Sequence, residues 1–211
     1  ISLTDRAGSE CNELMLYFDP GFNGISRLVT KAVNLKDIEK VAISFKHYLD
    51  NFSGSSKIGI ATSSDNGVTW NEAWSQTYSQ TGNYVVNKVV STPDMGESRV
   101  KFCLFFEGDS YNLYSWHFDD IEVFVQKNID LRILSIDVPE IVEAGETEVK
   151  FTVQNIGKET IKSFQIETAN IDDSYCGTMD VQSFETELAP FETKQFTLNR
   201  AFVLNPGNYN I

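Results

Sequence analysis

Two histidines, His47 and His117, are the only side chains in this 211-residue chain that ordinarily titrate near neutrality. A hydrolase built on a Ser-His-Asp or Cys-His arrangement must use one of them. Neither sits near a G-x-S-x-G turn, a pattern the sequence lacks. The three cysteines, Cys11, Cys103 and Cys176, are far apart and form no CxxC pair, which excludes a zinc ribbon and a thioredoxin-like motif. Cys103 lies in the alternating run Val100–Phe106 and reads as a small buried thiol. A Cys11–Cys176 bridge stays open. With the usual general base so scarce, the chain is expected not to be an enzyme.

Three other groups could do chemistry. The first is Asp119-Asp120, inside Trp116-His117-Phe118-Asp119-Asp120-Ile121-Glu122-Val123. Trp116 and Phe118 share even parity, whereas Ile121, Val123 and Val125 share odd parity, so a bulge or kink is expected at the two aspartates. Their carboxylates either hold backbone N–H groups or supply oxygens to a structural Ca2+. The second is Tyr111, Asn112 and Tyr114, in or beside a loop. Rings there could stack on sugars while their polar tips bind hydroxyls, or they could cap the edge of a sandwich. The third is Ser63-Ser64-Asp65-Asn66-Gly67-Val68-Thr69-Trp70, which fits S-x-D-x-G-x-T-W, the Asp-box. Asp65 would accept hydrogen bonds from turn N–H groups, and Gly67 would supply a positive φ. In sialidases this box repeats once per propeller blade. A single copy without internal repeats reads as one stiff hairpin. Asn51-Phe52-Ser53 fits a glycosylation sequon, and Asp172, Asp173 and Asp180 could attract calcium or mark a solvated loop.

The elements that must position these groups are strands. Val41, Ile43, Phe45 and His47 alternate with Ala42, Ser44 and Lys46, and Val149, Phe151 and Val153 alternate with Lys150, Thr152 and Gln154. No long helical crossover intervenes, so the sheets are expected to be antiparallel and the class all-β. A boundary falls near Gln126–Asp130, and all three tryptophans precede it. Residues 1–127 carry 11 basic and 16 acidic side chains, and residues 128–211 carry 6 and 14. The total charge of −13 disfavours nucleic acid and anionic membrane as partners. No run approaches the roughly 18 apolar residues that membrane insertion needs. The chain starts at Ile1 rather than Met and stops within a strand-like run, so it is read as a piece of a longer protein.

Arg99-Val100-Lys101-Phe102, Glu107-Gly108-Asp109 and the Trp116–Val123 run resemble the end of a MAM-like jelly roll. More specifically, they resemble the cleaved-adhesin, or choice-of-anchor J, modules of secreted Bacteroidetes proteins. Arg27-Leu28-Val29-Thr30, the strand from Val41 to Tyr48 and the hairpin Ile58–Trp70 follow in matching order. The family's opening strand is not present before Ile1, and Thr30-Lys31 stands where that family has Thr-Pro. Residues 131–211 resemble a CARDB-like, immunoglobulin-type domain, through Asp130-Leu131, Val142-Glu143-Ala144-Gly145, Asn155-Ile156-Gly157, Leu188-Ala189-Pro190 and Gly207-Asn208-Tyr209. The resemblance implies a front-truncated jelly roll over 1–127. It also implies an immunoglobulin-like β-sandwich over 128–211 with an incomplete last strand. It further implies a non-catalytic adhesion region of a secreted or cell-surface protein. The jelly roll would bind a host or matrix protein or a glycan, and the second module would act as a spacer beside other domains of the same polypeptide. The alternative is a carbohydrate-binding or structural accessory module of a secreted hydrolase or peptidase.

Overall fold

A computed structural model of the chain describes residues 1–8, 11–137, 148–172 and 175–198, with side chains outside 168–180. The chain is all-β and divides into two compact units, Ile1–Val125 and Gln126–Ile211.

The first unit has eight strands: β1 (Leu14–Tyr17), β2 (Asn23–Val29), β3 (Val41–Asn51), β4 (Ser56–Ser63), β5 (Asn71–Tyr78), β6 (Gly82–Val90), β7 (Lys101–Asp109) and β8 (Leu113–Phe124). They form two four-stranded antiparallel sheets, ordered β1-β8-β3-β6 and β2-β7-β4-β5. This interleaving of two Greek keys is the jelly-roll order. Period-2 alternation sets the inner faces. Val41, Ile43, Phe45, His47 and Leu49 of β3 are buried, facing Ile58 and Ile60 of β4 and Phe102, Leu104 and Phe106 of β7. Truncating a fully buried core side chain such as Leu49 to Ala costs about 2–5 kcal/mol.

Strand β7 departs from simple alternation, because Cys103 and Phe105 on its outer face are buried as well. Trp70 packs over them together with Ala61. Gly59 leaves room for the Phe105 ring, since a Cβ there would lie 2.5 Å from the ring's Cζ. On β8 the parity change at the aspartates is a bulge. Ser44 pairs with Glu122 and Lys46 with Asp119, so Asp120 and Ile121 together oppose Phe45. Asp120 takes the left-handed conformation, φ 52°. The extra residue keeps Phe118 and Val123 on one face of the sheet.

The second unit holds β9 (Leu131–Asp137), β10 (Val149–Asn155), β11 (Ile161–Asp172), β12 (Tyr175–Leu188) and β13 (Thr193–Leu198). A three-stranded sheet β13-β10-β9 and the pair β11-β12 share a core of Phe151, Val153, Ile161, Phe184 and Leu188, with Phe164 and Phe196 against it. Asn155 is buried and holds the turn after β10. Its Oδ1 accepts from the Gly157 N–H at 2.9 Å, and its Nδ2 donates to the carbonyls of Glu159 at 2.8 Å and Leu188 at 2.9 Å. A Cβ on Gly157 would lie 2.7 Å from the Asp130 nitrogen, so the close approach requires glycine. The cues at Val142–Gly145 and Gly207–Tyr209, and the incomplete last strand, lie outside the described residues.

Candidate functional site

Four connections of the first unit meet at one end and are cross-linked there. The 3-10 turn Ser110–Asn112 between β7 and β8 is the hub. Ser110 donates its backbone N–H to the Phe22 carbonyl at 2.8 Å and its hydroxyl to the Phe18 carbonyl at 3.1 Å, which ties in the β1–β2 connection. The Asn112 carbonyl accepts from the N–H groups of Phe52 at 2.8 Å and Ser53 at 3.0 Å. The Asn112 Nδ2 donates to the Ser55 carbonyl at 3.3 Å, completing the hold on the β3–β4 connection. Asn51 donates its N–H to Thr81 Oγ1 at 2.9 Å and its Nδ2 to the Ser79 carbonyl at 3.1 Å, joining the β5–β6 connection. The sequon's amide nitrogen is thus committed inside the loop network.

Large rings project from this framework. Tyr111 is 66% exposed, Phe52 55%, Tyr114 49% and Tyr17 48%. Tyr114 is the extra residue of a second bulge, since Asp50 pairs with Ser115 and Asn51 with Leu113. Its ring meets Phe52 edge-on, with centroids 5.2 Å apart. Tyr111 meets Phe18 edge-on at 6.3 Å, and Phe18 lies 4.5 Å from Tyr17. The Tyr111 N–H donates to Asp109 Oδ1 at 3.0 Å, which fixes the turn that carries the ring. Of the predicted ligand residues, Tyr111 and Tyr114 present rings to solvent, while Asn112 builds the loops between them. Phe52 and Tyr17 complete the patch. The sequence signal for Phe52 was its place between two strand runs, obscured by the sequon around it.

Asp119 and Asp120 lie on β8, away from the turn, and serve the bulge. The Asp120 N–H donates to Asp119 Oδ1 at 2.9 Å, and the Asp120 carboxylate pairs with Lys46 at 2.8 Å. A Ca2+ takes about 6–8 oxygens. Among the described residues no group of three or more His, Cys, Asp or Glu side chains comes together. Lys46 already stands beside the Asp120 carboxylate as a countercharge. Asp173 lies outside the described residues, as do the side chains of Asp172 and Asp180.

The opposite end of the unit uses its carboxylates inward. Asp65 accepts from the N–H groups of Val68 at 3.0 Å and Thr69 at 2.9 Å and from the Thr69 hydroxyl at 2.6 Å. These bonds, led by the Thr69 hydroxyl, hold its carboxyl well below the usual carboxylate range. Gly67 takes φ 95°, and Trp70 Nε1 donates to its carbonyl at 3.1 Å. Behind the turn, buried Asp94 accepts from the Thr62 hydroxyl at 2.5 Å, the Ser64 N–H at 3.0 Å and hydroxyl at 2.7 Å, and Asn71 Nδ2 at 3.0 Å. Burial pushes its carboxyl up, and these donors outweigh it, leaving it below its ordinary value. Nothing in the local sequence marks Asp94, because its donors come from strands distant along the chain.

His117 sits in a buried relay on the outer face of β8. Its Nδ1 lies 2.9 Å from Glu13 Oε2, and its Nε2 lies 3.0 Å from the Ser115 hydroxyl. Glu13 also accepts from the Thr4 hydroxyl at 2.9 Å and from the N–H groups of Ala7 and Gly8, so the relay pins residues 2–8 over the sheet. Burial lowers the His117 pKa, only partly countered by Glu13. Burial raises that of Glu13, and its donors reverse this to a net lowering. The Glu13 carboxylate can only accept, so the Nδ1–H of His117 is the hydrogen that faces it. The order acid–histidine–serine is that of an acyl-transfer triad. Ser115 is nevertheless 94% buried, since its relative exposure is 6%. It lies on an interior strand with Tyr17 opposite on one side and Asp50 on the other. His47 lies in the core, stacked on Tyr84 at 5.0 Å with Nε2 3.3 Å from the Tyr78 hydroxyl. Burial lowers its pKa to about 4. Cys11 and Cys103 are free thiols, and burial raises that of Cys103 to about 11.

No family model matches the chain, and no curated protein matches its sequence. Among solved structures, it is similar to a GH2 β-galacturonidase from Eisenbergiella tayi bound to glycerol, at 7% identity and a TM-score of 0.35, covering 85% of this chain and 29% of that one. It is also similar to a β-glucuronidase from Bacteroides uniformis, at 12% identity and a TM-score of 0.36, covering 86% of this chain and 22% of the enzyme. The chain thus spans less than a third of either enzyme, and likeness at this level is too weak to bear on activity. Among the described residues no helix is long and apolar enough to cross a membrane.

Proposed function

We propose that the chain is a non-catalytic, glycan-binding part of a larger secreted or cell-surface polypeptide. The ligand is taken by the loop-built end of the jelly roll. The observation that carries this reading is the exposure of Tyr17, Phe52, Tyr111 and Tyr114 on loops fixed by their own hydrogen bonds. Preformed loops bearing rigid aromatics lose little entropy on binding, and their rings offer flat apolar faces to sugar C–H groups. The second unit, read as an immunoglobulin-like spacer, displays the first. Both histidines have interior structural partners, which supports a binding role over a hydrolytic one. The test is a glycan array probed with the full chain and with Tyr111→Ala and Tyr114→Ala. Binding by the parent that falls at least tenfold in either variant is expected. A parent that binds no glycan would overturn the reading.

A further inference from the structure

The charge distribution around the aromatic end separates classes of sugar. The four connections with their flanking residues, 17–23, 50–56, 78–82 and 109–114, include Asp19, Asp50 and Asp109 and contain no Lys, Arg or His. The nearest cations in sequence and in contact are already matched. Arg6 pairs with Asp50 at 3.1 Å, and Lys57 pairs with Glu72 at 2.7 Å and with Glu107 at 3.0 Å. These four connections therefore offer an entering uronate carboxylate no cationic side chain. It would also meet the negative field of Asp19 and Asp109, which salt screens only beyond about one Debye length. The aspartates do not make a strong site for a basic ligand either. Asp50 is neutralised by Arg6, and Asp109 spends an oxygen on the Tyr111 N–H. Asp19 and Asp109 are both exposed, and Asp19 is the one that makes neither of these bonds. Uncharged polar groups also lie on these connections: Ser53, Ser55, Ser79, Gln80 and Thr81 are exposed. Hydroxyl and amide donors of this kind pair with sugar hydroxyls at little desolvation cost.

We infer that this end selects neutral glycans and rejects uronate-bearing ones. The inference rests on the glycan-binding reading above and narrows its ligand. The experiment titrates the full chain by calorimetry with a panel of neutral oligosaccharides. Uronate-bearing oligosaccharides of equal length and a basic peptide run in parallel. The neutral sugars are expected to bind with an affinity that changes less than twofold between low and high salt. The uronates are expected to bind at least tenfold more weakly, and to gain when Asp19→Asn removes one of the exposed acids. A melting curve for Asp19→Asn identical to the parent's keeps that comparison sound. Uronates binding as tightly as neutral sugars would overturn the selectivity while leaving the glycan reading intact. Binding of the basic peptide with no sugar bound, or no binding by any of the three, would overturn both.

Discussion

The two ends of the jelly roll are built from similar materials and spend them differently. At the end that holds the Asp65 turn, Asp65 and Asp94 accept hydrogen bonds from their own turns and strands, and Trp70 folds back onto the sheet. At the other end the polar side chains also knit loops together, but Tyr111, Phe52, Tyr114 and Tyr17 stay in solvent. A polar group satisfied by its own fold stabilises that fold, whereas a rigid ring left exposed has surface to offer a partner. The same residue types, aspartate and tryptophan or tyrosine, are therefore structural at one end and available for recognition at the other.

The comparison breaks if the first end can be damaged without loss of stability. Asp94→Ala leaves Thr62, Ser64 and Asn71 without their shared acceptor in a buried place. It should cost about 3 kcal/mol, and thus lower the melting temperature of the first unit by about 10 °C. Sugar binding at the far end should hold in the fraction that remains folded. Acid should act at a similar scale through the histidines. His47 and His117 have folded pKa values below the unfolded value of 6.5. The folded unit therefore binds fewer protons, and stability is lost as pH falls from 6.5 toward 4. His47 alone, lowered to about 4, accounts for about 3 kcal/mol over that window. Glu13, also lowered, adds to the loss below 4.5. Denaturation midpoints measured at pH 7, 5.5 and 4 should fall in that order, and His47→Phe should flatten the slope.

At the recognition end the expected stability effects shrink while the binding effects grow. Tyr111→Ala and Tyr114→Ala each remove an exposed ring, so stability should stay within about 0.5 kcal/mol. A larger loss in the melting curve of either variant would move that tyrosine from recognition to architecture. The smallest response is expected from a chelator. Asp120 already has Lys46, so melting curves with and without chelator should coincide. A chelator-sensitive curve, made insensitive by Asp119→Ala, would instead give the bulge a calcium ion.

What could be read in the sequence follows from how local the physics is. Alternation along β3 and β10 marks their core faces because the strand period is local, and the parity switch at Asp119-Asp120 marks a bulge for the same reason. The Asp65 turn was legible because its donors lie within four residues. The Glu13–His117 relay was not, since its partners are 104 residues apart and only the β1–β8 pairing brings them together. Asp94 was hidden in the same way. Tyr111 and Tyr114 could be named as candidates, but the part played by Asn112 could not. Its neighbours Phe52–Ser55 reach it only through the closing of the sandwich.

Nuclear magnetic resonance of the isotopically labelled chain, titrated with a neutral oligosaccharide selected on the array, tests the division between the two ends most directly. Chemical-shift changes should concentrate on Tyr17, Phe52, Ser53 and residues 111–114, with the Asp65 and Asp94 turns unmoved. Changes centred on the Asp65 turn, or spread evenly over both ends, would contradict it.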